Sequence, residues 1–219
     1  MGFYLGSTAP TTLYRSQVKS PYFVDKSMVL KEVFKLIETQ NKYICITRPR
    51  RFGKTDMTNM IASFFTDAQD SRDIFDNLKI AKDNNYKKYL NQYKVIQINF
   101  SEIPDECGDY RKYIRRIRKR LKEDLKELYP QLKLDYEDTI RDLLWKIYAR
   151  TRDEFIFVFD EWDYIFHEWF MTDRDKNEYL TFLNTLLKDQ PYVKMVYMTG
   201  ILPIEKYSSG SKLNMFLEH

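Results

Sequence analysis

"YICITRPRRFGKTDMTNM", residues 43–60, is the stretch on which the reading of the whole chain turns. A short β-branched run enters a basic loop, the loop ends in Gly-Lys-Thr, and residues suited to a helix follow. This is the outline of a phosphate-binding loop, in which backbone N–H groups and a helix N-terminus converge on phosphate oxygens while a lysine adds a full charge. Gly53 would let the backbone approach the phosphates, Lys54 would reach the β- and γ-phosphates, and Thr55 would offer its hydroxyl to Mg²⁺. The usual pattern, GxxxxGK followed by Ser or Thr, puts its first glycine at position 48, where this chain has Arg48. Pro49 already stiffens the turn leaving the strand, so another path around the phosphates is open. Arg48, Arg50 and Arg51 make the loop attractive to any anion. Alone, the loop reads equally as a nucleotide site or as a basic loop, solvated or holding nucleic-acid phosphates.

A second segment separates these readings. "FIFVFDE", residues 155–161, is an apolar strand running straight into Asp160-Glu161. Mg-ATP chemistry needs a carboxylate at the end of a neighbouring strand for the metal's water shell, and a second acid for the attacking water. Asp160 suits the first role and Glu161 the second. A further apolar run, "VKMVYMTG" at 193–200, ends in Thr199. If that strand lies between the loop strand and the acid strand, Thr199 faces the γ-phosphate; its bland alternative is a strand-end threonine before a turn. All three elements end strands, where open parallel sheets bind ligands. Order, spacing and matching strand contexts favour the nucleotide site.

The rest of the chain fits an α/β protein. Residues 1–26 read as irregular. Ser27 can cap a helix through "MVLKEVFKLIETQ". Strands are expected at 42–47, 93–101, 154–162 and 193–200, and helices at 55–65, 110–128, 136–151 and 176–188. Strands alternating with helices imply βαβ units, and runs such as "YICI" and "FIFVF" suit strands covered on both faces. The fold expected is a three-layer P-loop NTPase with a mainly parallel sheet flanked by helices, in the AAA-type strand arrangement. With 219 residues, 43% hydrophobic, and only 6 Gly and 7 Pro, one domain over residues 1–216 is expected. The ending Leu217–His219 resembles a purification-tag remnant, which would make the chain the N-terminal part of a longer protein.

Cys45 and Cys107 form no disulfide framework or metal spacing, which points to a reducing cytoplasm, with Cys45 as a core residue. No segment approaches the ~20 apolar residues of a membrane span. The segment 110–128 carries nine Lys or Arg residues with Ile114, Ile117, Leu121, Leu125 and Leu128 at helical spacing. It reads as a solvated amphipathic helix with pairs such as Arg120–Asp124, or as a surface for nucleic acid or an acidic partner. Tyr22 and Phe23 read as core packing or as a stack for a base, and Asp163 and His167 as members of a loop network.

"YFVDKS" (22–27), "KYICITRPRRFGKT" (42–55), "FVFDEWDYIFH" (158–167) and "YMTGILPIEKY" (197–207) resemble, in that order, the signatures of a bacterial AAA-ATPase-like family. That family itself lacks the first glycine, which makes Arg48 a family trait. The resemblance implies ATP bound through Gly53, Lys54 and Thr55, a Walker B pair at Asp160 and Glu161, and, in many full-length members, a following PD-(D/E)xK nuclease-like domain. Asp56 departs from the small or neutral residue commoner after Thr55. The candidate set is then Arg51, Phe52, Gly53, Lys54, Thr55 and Asp56 for the nucleotide, Thr55 and Asp160 for Mg²⁺, and Glu161, Lys54 and Thr199 for catalysis. A finger could be supplied by Arg50 or Arg51, or by a neighbouring copy in a homo-oligomer. Expected is Mg-dependent ATP hydrolysis driving or gating an effector domain. The alternatives are a nucleotide-gated module with negligible turnover and a nucleic-acid-binding domain using the basic helix and loop.

Overall fold

The structure is a computed structural model that describes residues 2–207 and 212–219. In chain order the elements are α1 (Ala9–Val18), α2 (Val29–Leu36), β1 (Tyr43–Thr47), α3 (Lys54–Phe65), the single turns α4 (Arg72–Phe75) and α5 (Tyr86–Tyr89), and β2 (Lys94–Asn99). There follow α6 (Tyr110–Leu128), α7 (Ile140–Thr151), β3 (Phe155–Asp160), α8 (Asp173–Leu187), β4 (Val193–Gly200) and β5 (Leu217–Glu218). The five strands form one sheet in the order β2-β3-β4-β1-β5, and every pairing is parallel.

Alternation along β3 explains the three layers. Phe155, Phe157 and Phe159 enter the core beneath α6, α7 and α8, while Ile156 and Val158 enter the core shared with α2 and α3. Both faces are covered, so the strand is apolar up to Asp160 and wholly buried. Cys45 is likewise buried in the first of these cores, where burial pushes its thiol well up and keeps it uncharged. β4 lies between β1 and β3, with Ile46 opposite Thr199, Thr47 opposite Gly200 and Phe159 opposite Met198. This insertion brings the ends of the loop strand, the acid strand and the threonine strand to one edge.

Several local expectations are corrected. Residues 2–26 are not irregular throughout, because Ala9–Val18 form α1, with Pro10 in its first turn. Only Pro10, Thr11 and Tyr14 of α1 are buried, so no apolar stripe announced it. Ser27 does not cap α2; its hydroxyl accepts the Ile80 N–H at 3.2 Å. Helix α7 begins at Ile140, where Thr139 and Asp142 form a capping box, and α8 begins at Asp173 behind the equivalent box of Thr172 and Asp175. Asp124 does not pair with Arg120 on the surface. It is 5% exposed and accepts the N–H groups of Phe3, Tyr4 and Leu5 at 2.7, 2.6 and 3.0 Å, while the Arg120 guanidinium lies over the Phe3 ring. Leu217 and Glu218 complete the sheet, facing Ile44 and Cys45, and His219 exchanges backbone hydrogen bonds with Cys45 and Thr47.

Candidate functional site

The loop after β1 answers the question raised by Arg48. At Arg48 the backbone does not enter the left-handed region, so position 48 asks nothing that only glycine can give. The Arg48 N–H donates to the Gly200 carbonyl at 3.1 Å and its guanidinium to the Thr47 carbonyl, tying the start of the loop to β4. Positive φ falls instead at Arg51 (68°) and at Gly53 (76°), which caps α3. Arg48, Arg50, Arg51 and Phe52 are exposed.

Among the described residues, no backbone N–H from Arg50 to Asp56 donates a hydrogen bond. Helix geometry accounts for Lys54 to Asp56, whose donors have no intrahelical partner, and the winding of the loop adds the others. A basic loop whose successive N–H groups are all uncommitted, opening a helix of twelve residues, is a built receptor for an anion.

Lys54 is 7% exposed. Its ammonium donates to the Arg48 and Pro49 carbonyls at 3.1 and 3.3 Å and lies 3.4 Å from Glu161 Oε1. Asp160 is 1% exposed; its Oδ1 accepts the Thr199 hydroxyl at 2.5 Å and the Glu161 N–H at 3.1 Å. Among the described residues, Asp160 Oδ2 and Glu161 Oε2 are buried with no hydrogen-bond partner. Two orphaned carboxylate oxygens beside a buried lysine are costly unless something else occupies the space. Glu161 also holds a left-handed backbone, φ 51°, a local strain of the kind that accumulates at functional sites.

The structure thus brings together Lys54, Asp160, Glu161 and Thr199. Thr55 and Asp56 sit exposed on the first turn of α3, and the Thr55 hydroxyl makes no hydrogen bond within the described residues. Beside Gly53 lies a cavity of about 250 Å³ whose lining includes Tyr14, Tyr22, Phe23, Lys26 and Asp56. A Cβ at Gly53 would stand 3.6 Å from both Asp56 Oδ2 and Lys26 Nζ. Tyr22 is not core, being 91% exposed; Phe23 packs edge-on against Tyr14. Lys26 was missed because nothing periodic marks it. It is placed by Asp25, whose carboxylate accepts the N–H groups of Ser27 and Lys79 at 2.8 Å each.

Behind the acids, Asp163 is fully buried and accepts the N–H groups of Ile201 and Leu202, and the Trp162 N–H donates to the Thr199 carbonyl. His167 Nε2 pairs with the Tyr207 hydroxyl at 3.2 Å, so both polar residues of this segment belong to its loop network.

Residues 14–209 match the profile of a family described as predicted AAA-ATPase. The chain belongs to that AAA-ATPase-like family. Membership carries a general ATP-binding role, and the five-stranded parallel sheet is the fold it calls for. No curated protein matches this AAA-ATPase-like chain in sequence. Among its described residues no helix is long and apolar enough to cross a membrane.

Proposed function

We propose that this domain binds Mg-ATP across the loop of residues 48–55 and hydrolyses it in the cytoplasm by in-line attack of water on the γ-phosphate, driving or gating an attached effector domain. The observation that carries the reading is the pairing of uncommitted loop N–H groups with the orphaned Asp160 and Glu161 oxygens at the same sheet edge. The N–H groups from Arg50 to Asp56 cradle the phosphates, and Arg51 and Phe52 shape that turn. Lys54 shifts its charge from the loop carbonyls and Glu161 toward the β- and γ-phosphates. Base and ribose occupy the cavity lined by Tyr14, Tyr22 and Phe23, where Lys26 and Asp56 offer polar edges.

Asp160 and Thr55 would hold Mg²⁺, and the free Asp160 oxygen suits a hard, hydrated cation. The ion, when bound, would supply charge neutralisation on the phosphate oxygens. Thr199 fixes the orientation of Asp160 and marks the γ-phosphate position from the adjacent strand. Glu161 orients the attacking water with its unpartnered oxygen and accepts its proton.

The test is release of inorganic phosphate from ATP by the purified chain. Release that requires Mg²⁺ and stops with excess EDTA is the expected result. Saturable ATP binding without any release would overturn the hydrolytic reading in favour of a nucleotide-gated switch.

A further inference from the structure

The opposite face of the molecule carries a second, larger feature. A groove of about 1080 Å³ runs between α6, the turn before α7, and α8. These three helices cover the face of the sheet away from α3, so the groove is separate from the phosphate loop. Among the described residues, its walls present seven cationic side chains against three carboxylates, Glu137, Asp142 and Glu178. Four of the cations are engaged locally. Arg174 pairs with Glu178 at 2.9 Å and Lys119 with Glu123 at 3.8 Å, Lys122 donates to the Tyr136 carbonyl, and Arg118 lies over the Phe182 ring. The guanidinium groups of the remaining three, Arg111, Arg115 and Arg141, make no hydrogen bond or ion pair among the described residues.

A second observation lies in the wall itself. Tyr110 is 3% exposed, lines the groove, and has its hydroxyl buried without a hydrogen-bond partner among the described residues. Such a group carries a desolvation cost that a bound acceptor would relieve.

We infer that this groove binds a single strand of nucleic acid, its phosphates on Arg111, Arg115 and Arg141 and its bases against the rings and guanidinium planes of the walls. Along α6 the groove cations Arg111, Arg115, Arg118 and Lys122 recur every three or four residues, advancing about 4.5–6 Å at each step. That is a linear array suited to successive phosphates of an extended strand. The free cations are arginines, which engage phosphate through a planar fork and stack on flat rings, as Arg118 already does on Phe182. Tyr136, 54% exposed on the rim, carries the Lys126 ammonium over its ring, so a base stacking there, in the manner that binds bases without regard to sequence, takes that cation's place. An acidic peptide would satisfy the charges but would leave those rings unused. A concave cleft also suits one strand better than a duplex, which is read by elements that protrude into its grooves.

The test is fluorescence anisotropy of the intact chain with a labelled oligothymidine of about 20 nucleotides, measured between about 50 and 200 mM salt. Saturable binding that weakens with salt is expected. The triple variant Arg111→Ala/Arg115→Ala/Arg141→Ala should bind at least about tenfold more weakly. Its log–log salt slope should be shallower by about 2, given about 0.7 per phosphate contact on a single strand. Tyr110→Phe, which deletes an unpartnered hydroxyl and so leaves the fold intact, should lower affinity a few-fold. The loop variant Arg48→Ala/Arg50→Ala should bind as the parent does, and polyglutamate should not compete. No binding, equal binding by the triple variant, loss in the loop variant instead, or displacement by polyglutamate would each overturn the assignment.

Discussion

Glu161→Gln is expected to slow phosphate release from Mg-ATP by about 10²–10⁴-fold, the range associated with loss of a positioned general base, while nucleotide affinity stays close to that of the parent. The substitution keeps size and hydrogen-bonding capacity but removes the charge that, on the proposed mechanism, takes a proton from water. It also removes the anion 3.4 Å from Lys54 Nζ, which frees that ammonium for phosphate, so binding should not fall and could tighten. Titration of ATP beside a phosphate-release assay separates the two effects. A parallel loss of binding and turnover would mean that Glu161 acts chiefly by holding Lys54 in place. Unchanged turnover would remove it from the chemistry.

The largest effect on stability is expected at Gly200. An added Cβ would meet Trp162 Nε1 at 2.4 Å, Trp162 Cδ1 at 2.6 Å and Asp163 Oδ1 at 2.9 Å. None of these can retreat easily. Trp162 is fully buried, edge-on to Phe166 and Tyr207, and its backbone is fixed by the Thr199 carbonyl and the Tyr179 hydroxyl. Asp163 is committed to two N–H groups of the following turn. Gly200→Ala should therefore cost about 3 kcal/mol by overpacking, a fall in Tm of about 6–12 °C for a chain of this size. Gly108→Ala is the control, since its nearest neighbours would be Trp169 ring carbons at 3.9 and 4.0 Å. It should stay within about 0.5 kcal/mol of the parent. Equal melting temperatures for the two variants would show that Trp162 is free to move. The site would suffer with the fold, because Gly200 follows Thr199 and its carbonyl anchors Arg48.

How much of this was legible in the sequence depends on whether the deciding force is local. β3 and β4 could be read because strands buried on both faces are largely continuous apolar runs, and α6 because apolar residues recur at helical spacing from Tyr110 to Leu125. The position of β4 between β1 and β3 followed from matching the loop and acid motifs to one architecture. Helix α1 was invisible because so little of it is buried. The inward turn of Asp124 was equally hidden, since its partners lie about 120 residues away at the N-terminus. Tyr22 and Lys26 flank the cavity only because Asp25 clamps their segment to Lys79. The free hydroxyl of Tyr110 and the three unengaged arginines have no sequence signature, because being unpartnered is a property of the packed surroundings.

The central claim is that "RPRRFGKT" receives a triphosphate although Arg48 stands in place of the first glycine. Calorimetric titration of Mg-ATP into the chain and into Lys54→Ala tests it most directly. Lys54 should supply a charge-assisted contact of about 1.5–3 kcal/mol, so saturable binding in the parent should weaken by at least about tenfold in the variant. Equal affinity in the two proteins would contradict the account, because it would mean that general basicity, not the loop opening α3, attracts the nucleotide.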